Sequence, residues 1–118
     1  MTSTDPPEAD PPERFDEYEL VLLWRAGDRR ELEPQAARRL QRQHLGHLEA
    51  MRAAGHLLVA GPLLGQPDPR LRGICIYRTG SVATTRQLAS SDPAVRAGEL
   101  DVDVMTWRTR PGALATGS

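Results

Sequence analysis

QHLGHLEAMRAAGHLLVAGP, residues 43–62, decides how the chain folds. It reads as the second half of a helix, a glycine stop at Gly55, a short apolar strand and a Gly61-Pro62 exit. It also holds all three histidines of the protein, His44, His47 and His56. Working upstream, Pro34 suits a first helical turn, where its fixed φ helps and its missing N–H costs nothing. Glu33 then stands at the cap position, a weaker cap than Ser or Asp. The helix is expected to run to about Ala54. Ala37, Leu40, His44, Leu48 and Met51 step by three and four along one face. Arg38, Arg39 and Arg42 point away from it and read as a solvated face. Gly55 is the C-terminal cap, and Leu57 to Ala60 is a strand apolar on both faces, broken by Gly61-Pro62.

Before this helix, Glu17 to Arg25 reads as a strand, with Leu20, Leu22 and Trp24 alternating with Val21 and Leu23. After it, residues 63–72, with Pro67 and Pro69, read as a loop, and Gly73 to Arg78 as a third strand. Ser81 is placed to cap a second helix through Ser90. Asp92-Pro93 opens a tight helical turn that stops at Gly98. Leu100 to Trp107 closes the pattern, with Leu100, Val102 and Val104 on one face and Asp101, Asp103, Met105 and Trp107 on the other. The order β-α-β-β-α-β predicts an α+β, ferredoxin-like domain over residues 15–109. Residues 1–14, rich in Pro and acids, are expected to be a disordered tail, and residues 110–118 a flexible one. Two helices can cover one face of a four-stranded sheet, yet three strands are apolar on both faces. The second face therefore needs a partner, and a homodimer with its sheets face to face is expected.

Composition narrows the chemistry. The chain has 118 residues and a formal net charge of -1. Residues 1–17 carry six acids and one Arg, which leaves the body mildly basic without the Arg-aromatic interleaving of a nucleic-acid surface. All 15 basic side chains are Arg, so Schiff-base chemistry and a lysine-bearing phosphate loop are excluded. Cys75 is the single cysteine. It can form neither an internal disulfide nor a Cys-rich zinc site, and reads as a small buried hydrophobe. No apolar run approaches membrane length and the N-terminus is not a signal peptide, so a cytoplasmic protein without nucleic-acid or membrane partners is expected.

HLGHLEAMRAAGHLLVAGP, then RGICIY, then SSDPAVRAGELDVDVMTW resembles the YCII-related (YciI-like) domain proteins over about residues 17 to 108. The elements that carry the resemblance are a His in the first helix, a Gly-Pro after the second strand, and an Asp-Pro with a Gly a few residues on. A branch of the wider group carries Asp-Gly-Pro-Phe. Here the stretch is Ala60-Gly61-Pro62-Leu63, which is similar to the YciI-like branch. The resemblance implies a dimeric α+β barrel with a site built on a His-Asp pair, and one relative of this kind is a dehydrochlorinase acting on a chlorinated hydroquinone. Matched residue by residue, the family His is His44, the Gly-Pro is Gly61-Pro62 and the Asp is Asp92.

Each of these residues has two readings. His44 on an apolar helix face is a hydrogen-bonded core histidine or, beside a carboxylate, a proton-transfer group suited to neutral pH. Asp92 before Pro93 is a helix cap, and a carboxylate has acceptor sites enough to orient an imidazole as well. Gly61 and Pro62 end a strand or let a ligand approach the backbone. His47 follows His44 by three residues. The pair lacks the further ligands of a metal site, so His47 is placed with Gly61 and Pro62 among the substrate-binding residues, and no metal is expected. His56 follows the cap and sits where a helix C-terminus favours a cation. Asp101 and Asp103 share a strand face and read as a solvated edge. The leading expectation is a small enzyme, without a cofactor, that abstracts a proton from, or eliminates a group from, a cyclic or enolic metabolite. The alternatives are a non-catalytic ligand-binding module and a dimerisation domain.

Overall fold

A computed structural model describes residues 4–114. It is an α+β fold with strands β1 (Asp16–Arg25), β2 (Leu57–Pro62), β3 (Leu71–Tyr77) and β4 (Leu100–Thr109) and helices α1 (Pro34–Ala53), α2 (Val82–Ser90) and α3 (Pro93–Arg96). The strands form one antiparallel sheet in the order β2-β3-β1-β4. β1 and β2 are thus split by β3, and β3 and β4 by β1, as the ferredoxin-like arrangement requires.

The turn that sets the topology is the one after α1. Gly55 has φ +82, a value that costs a residue with a Cβ. It lets the Gly55 N–H reach the Arg52 carbonyl and the His56 N–H reach the Met51 carbonyl, both at 3.0 Å. This paired closure satisfies carbonyls the helix would otherwise leave open and feeds the chain directly into β2. At the other end of α1 the Glu33 side chain makes no capping hydrogen bond, and Pro34 alone marks the start.

All three helices lie on one face of the sheet. There Val21, Leu23, Leu57, Cys75, Tyr77 and Val104 meet Ala89 of α2, with Leu48 and Met51 of α1 packed alongside. Buried Glu19 joins this layer. Its Oε1 accepts hydrogen bonds from the Thr79 N–H at 2.8 Å, the Thr79 hydroxyl at 2.9 Å and the Thr85 hydroxyl at 2.8 Å, which ties the β3–α2 turn to β1. The opposite face carries Leu20, Leu22, Trp24, Ile74 and Ile76, paired across β1 and β3, and ends in Met105 and Trp107, which are 38% and 39% exposed. Asp103 on this face accepts a hydrogen bond from the Trp24 indole at 2.9 Å.

Most boundaries shift by a residue or two from the sequence expectation, with β1 starting at Asp16, β3 ending at Tyr77 and β4 running on to Thr109, and two of the differences bear on the site. β2 continues through Gly61 and Pro62, which pair with Ile74 and Gly73, because β2 is an edge strand, where a proline's missing donor is tolerated. β3 starts at Leu71 instead of Gly73, because the pairing with β1 slips by one residue at Arg72. Residues 4–15 contain no helix or strand. The expected tails fall in part on residues 1–3 and 115–118, which lie outside the described residues. No helix among the described residues is long and apolar enough to cross a membrane.

Candidate active site

Asp92 is 2% exposed and sits between α2 and α3. The local sequence dictates its pose. Helix α2 ends at Ser90 with Ser91 as its cap, Pro93 cannot continue it, and the Asp92 backbone turns to φ -56, ψ 129 as the cap of α3. One carboxylate oxygen, Oδ1, accepts the Ala94 N–H at 2.9 Å. The other, Oδ2, lies 2.5 Å from His44 Nδ1. The capping and orienting tasks therefore fall to the two oxygens of a single side chain. A short N···O contact of this kind marks a charge-assisted hydrogen bond, in which His44 Nδ1–H donates and Asp92 accepts. The imidazole is thereby held in one tautomer with Nε2 as its remaining base. His44 Nε2 has no hydrogen-bond partner among the described residues, and the side chain stays 12% exposed.

That exposure opens onto a pocket of about 540 Å³ between α1 and the sheet. Its walls are apolar on the helix side, with Leu40, Leu45 and Leu48, and on the sheet side with Leu23. Ala60, Gly61 and Pro62 line it along β2. Gly73 forms part of the same surface, and a Cβ there would stand 2.8 Å from the Gly61 carbonyl oxygen. The two strands approach this closely only because residue 73 has no side chain. Helix α1 has no fully buried residue, since its first turns face this space and not a packed core.

His44, Gly61 and Pro62 thus come together around one pocket with Asp92 behind the histidine. His47 does not line the pocket. Its Nε2 is buried without a hydrogen-bond partner. Burial holds the His47 pKa below the ordinary histidine value, against the pull of Asp92, and the nearby His44 adds to the lowering. Cys75 is buried beneath the same region, and burial, with Asp92 adding, pushes its thiol up to about 12. It is therefore no nucleophile at neutral pH. Burial raises Tyr77 in the same way. Among the described residues no group of three or more His, Cys, Asp or Glu side chains is arranged to hold a metal ion. Sequence reasoning missed a charged rim of Arg25, Arg29, Arg72 and Glu99. Arg29 and Glu99 form an ion pair at 3.1 Å. Arg25 was legible as the last residue of an alternating strand, but Arg72 depends on a strand irregularity that has no signature of its own.

The chain is similar to 5-chloro-2-hydroxyhydroquinone dehydrochlorinase (TftG) from Burkholderia phenoliruptrix AC1100, in its complex with 2,5-dihydroxybenzoquinone, with 26% identity and a TM-score of 0.51. The match covers 75% of this chain and 92% of that one. No curated protein sequence matches. The family model of the YCII-related domain matches residues 20–108, which takes in all three helices, β2, β3, most of β1 and β4, and both members of the His44–Asp92 pair. The chain belongs to the YCII-related domain family.

Proposed function

We propose that the protein is a small lyase-type enzyme in which His44, oriented by Asp92, moves a proton on a ring-shaped or enolic metabolite held in the pocket. The observation that carries this reading is the 2.5 Å His44–Asp92 contact at the wall of a pocket of about 540 Å³, roomy enough for a small ring compound. Neutral His44 Nε2 takes a proton from substrate carbon or hydroxyl, and Asp92 stabilises the imidazolium that forms. The freed C–H or O–H pair becomes a new C=C or C=O bond and expels a leaving group, such as halide, from an sp3 carbon of the substrate's keto tautomer, directly or through the conjugated ring. The imidazolium then returns its proton to solvent. These steps are acid–base chemistry and call for no cofactor. The similarity to a dehydrochlorinase supports elimination as the first reaction class to assay.

His44→Gln is expected to lower turnover of a chlorinated hydroquinone, followed by chloride release, by about 10²–10⁴-fold. Asp92→Asn preserves a capping oxygen but removes the charge and the tautomer control, so it is expected to lose turnover with a smaller change in melting temperature. A folded His44→Gln protein with full turnover refutes the mechanism.

The same reading takes the protein as a homodimer. The uncovered sheet face, with Leu20, Leu22, Ile74, Met105 and Trp107, is the surface on which two copies would meet to make a dimeric α+β barrel, and cytoplasmic residence accords with the absence of disulfide-capable cysteine pairs.

A further inference from the structure

The pocket is apolar where it is deep and cationic at one end. Arg25 closes β1, and its backbone N–H donates to the Arg70 carbonyl at 2.7 Å. On the neighbouring β3 the register runs Leu23 opposite Gly73 and then Trp24 opposite Leu71, so Arg72 is the extra residue of a bulge. A bulge re-aims the side chain it carries, and here it brings Arg72 to the pocket beside Gly73, next to Arg25 on the adjoining strand.

Of the carboxylates near these two arginines, Asp103 accepts from the Trp24 indole. Asp101 lines a second, shallower pocket with Arg25 on the other side of the strand end, without an ion pair to it, and two more are engaged by other arginines. Glu99, the carboxylate on the rim, pairs with Arg29 at 3.1 Å. Asp68, which feels the charge of Arg25, is gripped by Arg70 through Nε at 3.1 Å, Nη2 at 2.8 Å and the backbone N–H at 3.0 Å. The Arg72 guanidinium makes one contact, to the Pro69 carbonyl at 3.3 Å, and among the described residues no hydrogen bond or ion pair is formed by the Arg25 side chain. Guanidinium does not deprotonate in proteins. Two positive charges thus remain at the mouth of an apolar cavity, where low-dielectric walls focus their field on whatever enters.

We infer that Arg25 and Arg72 form an anion subsite and that the substrate is a ring compound bearing a carboxylate, which the two arginines hold while the ring lies against Leu23 and Leu48 within reach of His44. The planar guanidinium fork matches a carboxylate in geometry. The inference rests on the proposed function for the role of His44, but the subsite is independent of it and binds with or without chemistry.

The test compares two probes of one ring, 2,5-dihydroxybenzoate and its methyl ester, by calorimetric or NMR titration against the full-length protein. The carboxylate is expected to bind about tenfold more tightly than the ester, the ratio one charge-assisted contact gives. Arg25→Gln and Arg72→Gln each reduce that ratio, and the double variant removes it. Arg38→Gln, on the exposed face of α1, leaves it unchanged, and His44→Gln keeps it while losing turnover. In wild type, added salt weakens the carboxylate and not the ester, a readout that needs no variant. Equal affinity for the two probes, a preference that survives the double variant, or no carboxylate binding in the millimolar range overturns the subsite. Turnover of neutral chlorinated hydroquinones alongside any of these results leaves the acid–base reading standing.

Discussion

At the residue scale, His44 and His47 sit three residues apart on one helix and have opposite fates. His44 has a carboxylate on one ring nitrogen. His47 has a sealed Nε2 with no partner, and burial keeps it neutral more readily than a histidine in water. The folded-state pKa of His47 is lowered, so the unfolded chain binds the proton more tightly. The stability His47 contributes is then complete above the unfolded value of about 6.5 and is lost as pH falls below it toward the folded value. The melting temperature of wild type is expected to drop between pH 7 and 5.5 more than that of His47→Gln, as read by thermal unfolding across that range. Parallel curves refute this role. The helical spacing placed His44 on the apolar face and His47 on its flank, and the family resemblance matched His44 with Asp92, but spacing alone could not show the contact. The difference is which one Asp92 reaches, and that depends on a chain reversal 48 residues later.

At the element scale, what was legible is what local chemistry decides. Proline and glycine bracketed α1, serine capped α2, and strict alternation gave the two faces of β4, all from neighbours within a few residues. The Asp92-Pro93 cap was legible for the same reason. What was not legible is pairing. The inclusion of Pro62 in β2 depends on β2 lying at the sheet edge, and the Arg72 bulge exists only in the register between β1 and β3. Gly73 belongs to this second group. A strand glycine invites several explanations, and only the paired strand shows that the Gly61 carbonyl fills the space a Cβ needs. The neighbour is backbone and cannot swing aside, so Gly73→Ala must push β2 away from β3. It is expected to destabilise the protein by about 1–3 kcal/mol, measured by urea unfolding, and to distort the pocket wall formed by Gly61 and Pro62. An unchanged unfolding midpoint argues against a tight contact.

At the scale of the whole molecule, the helices serve one face of the sheet and leave the other to Trp24, Met105, Trp107 and their aliphatic neighbours. A face of this kind seldom stays in water on a small domain. If two copies meet there, a charge at its centre is costly to bury unpaired. Trp107→Glu together with Met105→Glu is expected to convert a dimer to a monomer in sedimentation velocity while leaving far-UV circular dichroism unchanged. A wild-type protein that sediments as a monomer at micromolar concentration removes the sheet-to-sheet arrangement.

Helix α1 rests on Leu48 and Met51 at one end and spans open space at the other. Its free energy of local opening must therefore slope along its axis, steep after His44 and shallow before it. The shallow end is also the roof of the pocket. A ligand can enter as the first turns fray, without disturbing the layer around Val21 and Cys75. Once inside, it supplies the apolar contact that Ala37 and Leu40 otherwise lack. Part of its affinity then reappears as protection of the backbone amides ahead of His44, so occupancy can be followed by hydrogen exchange even for a molecule that never reacts.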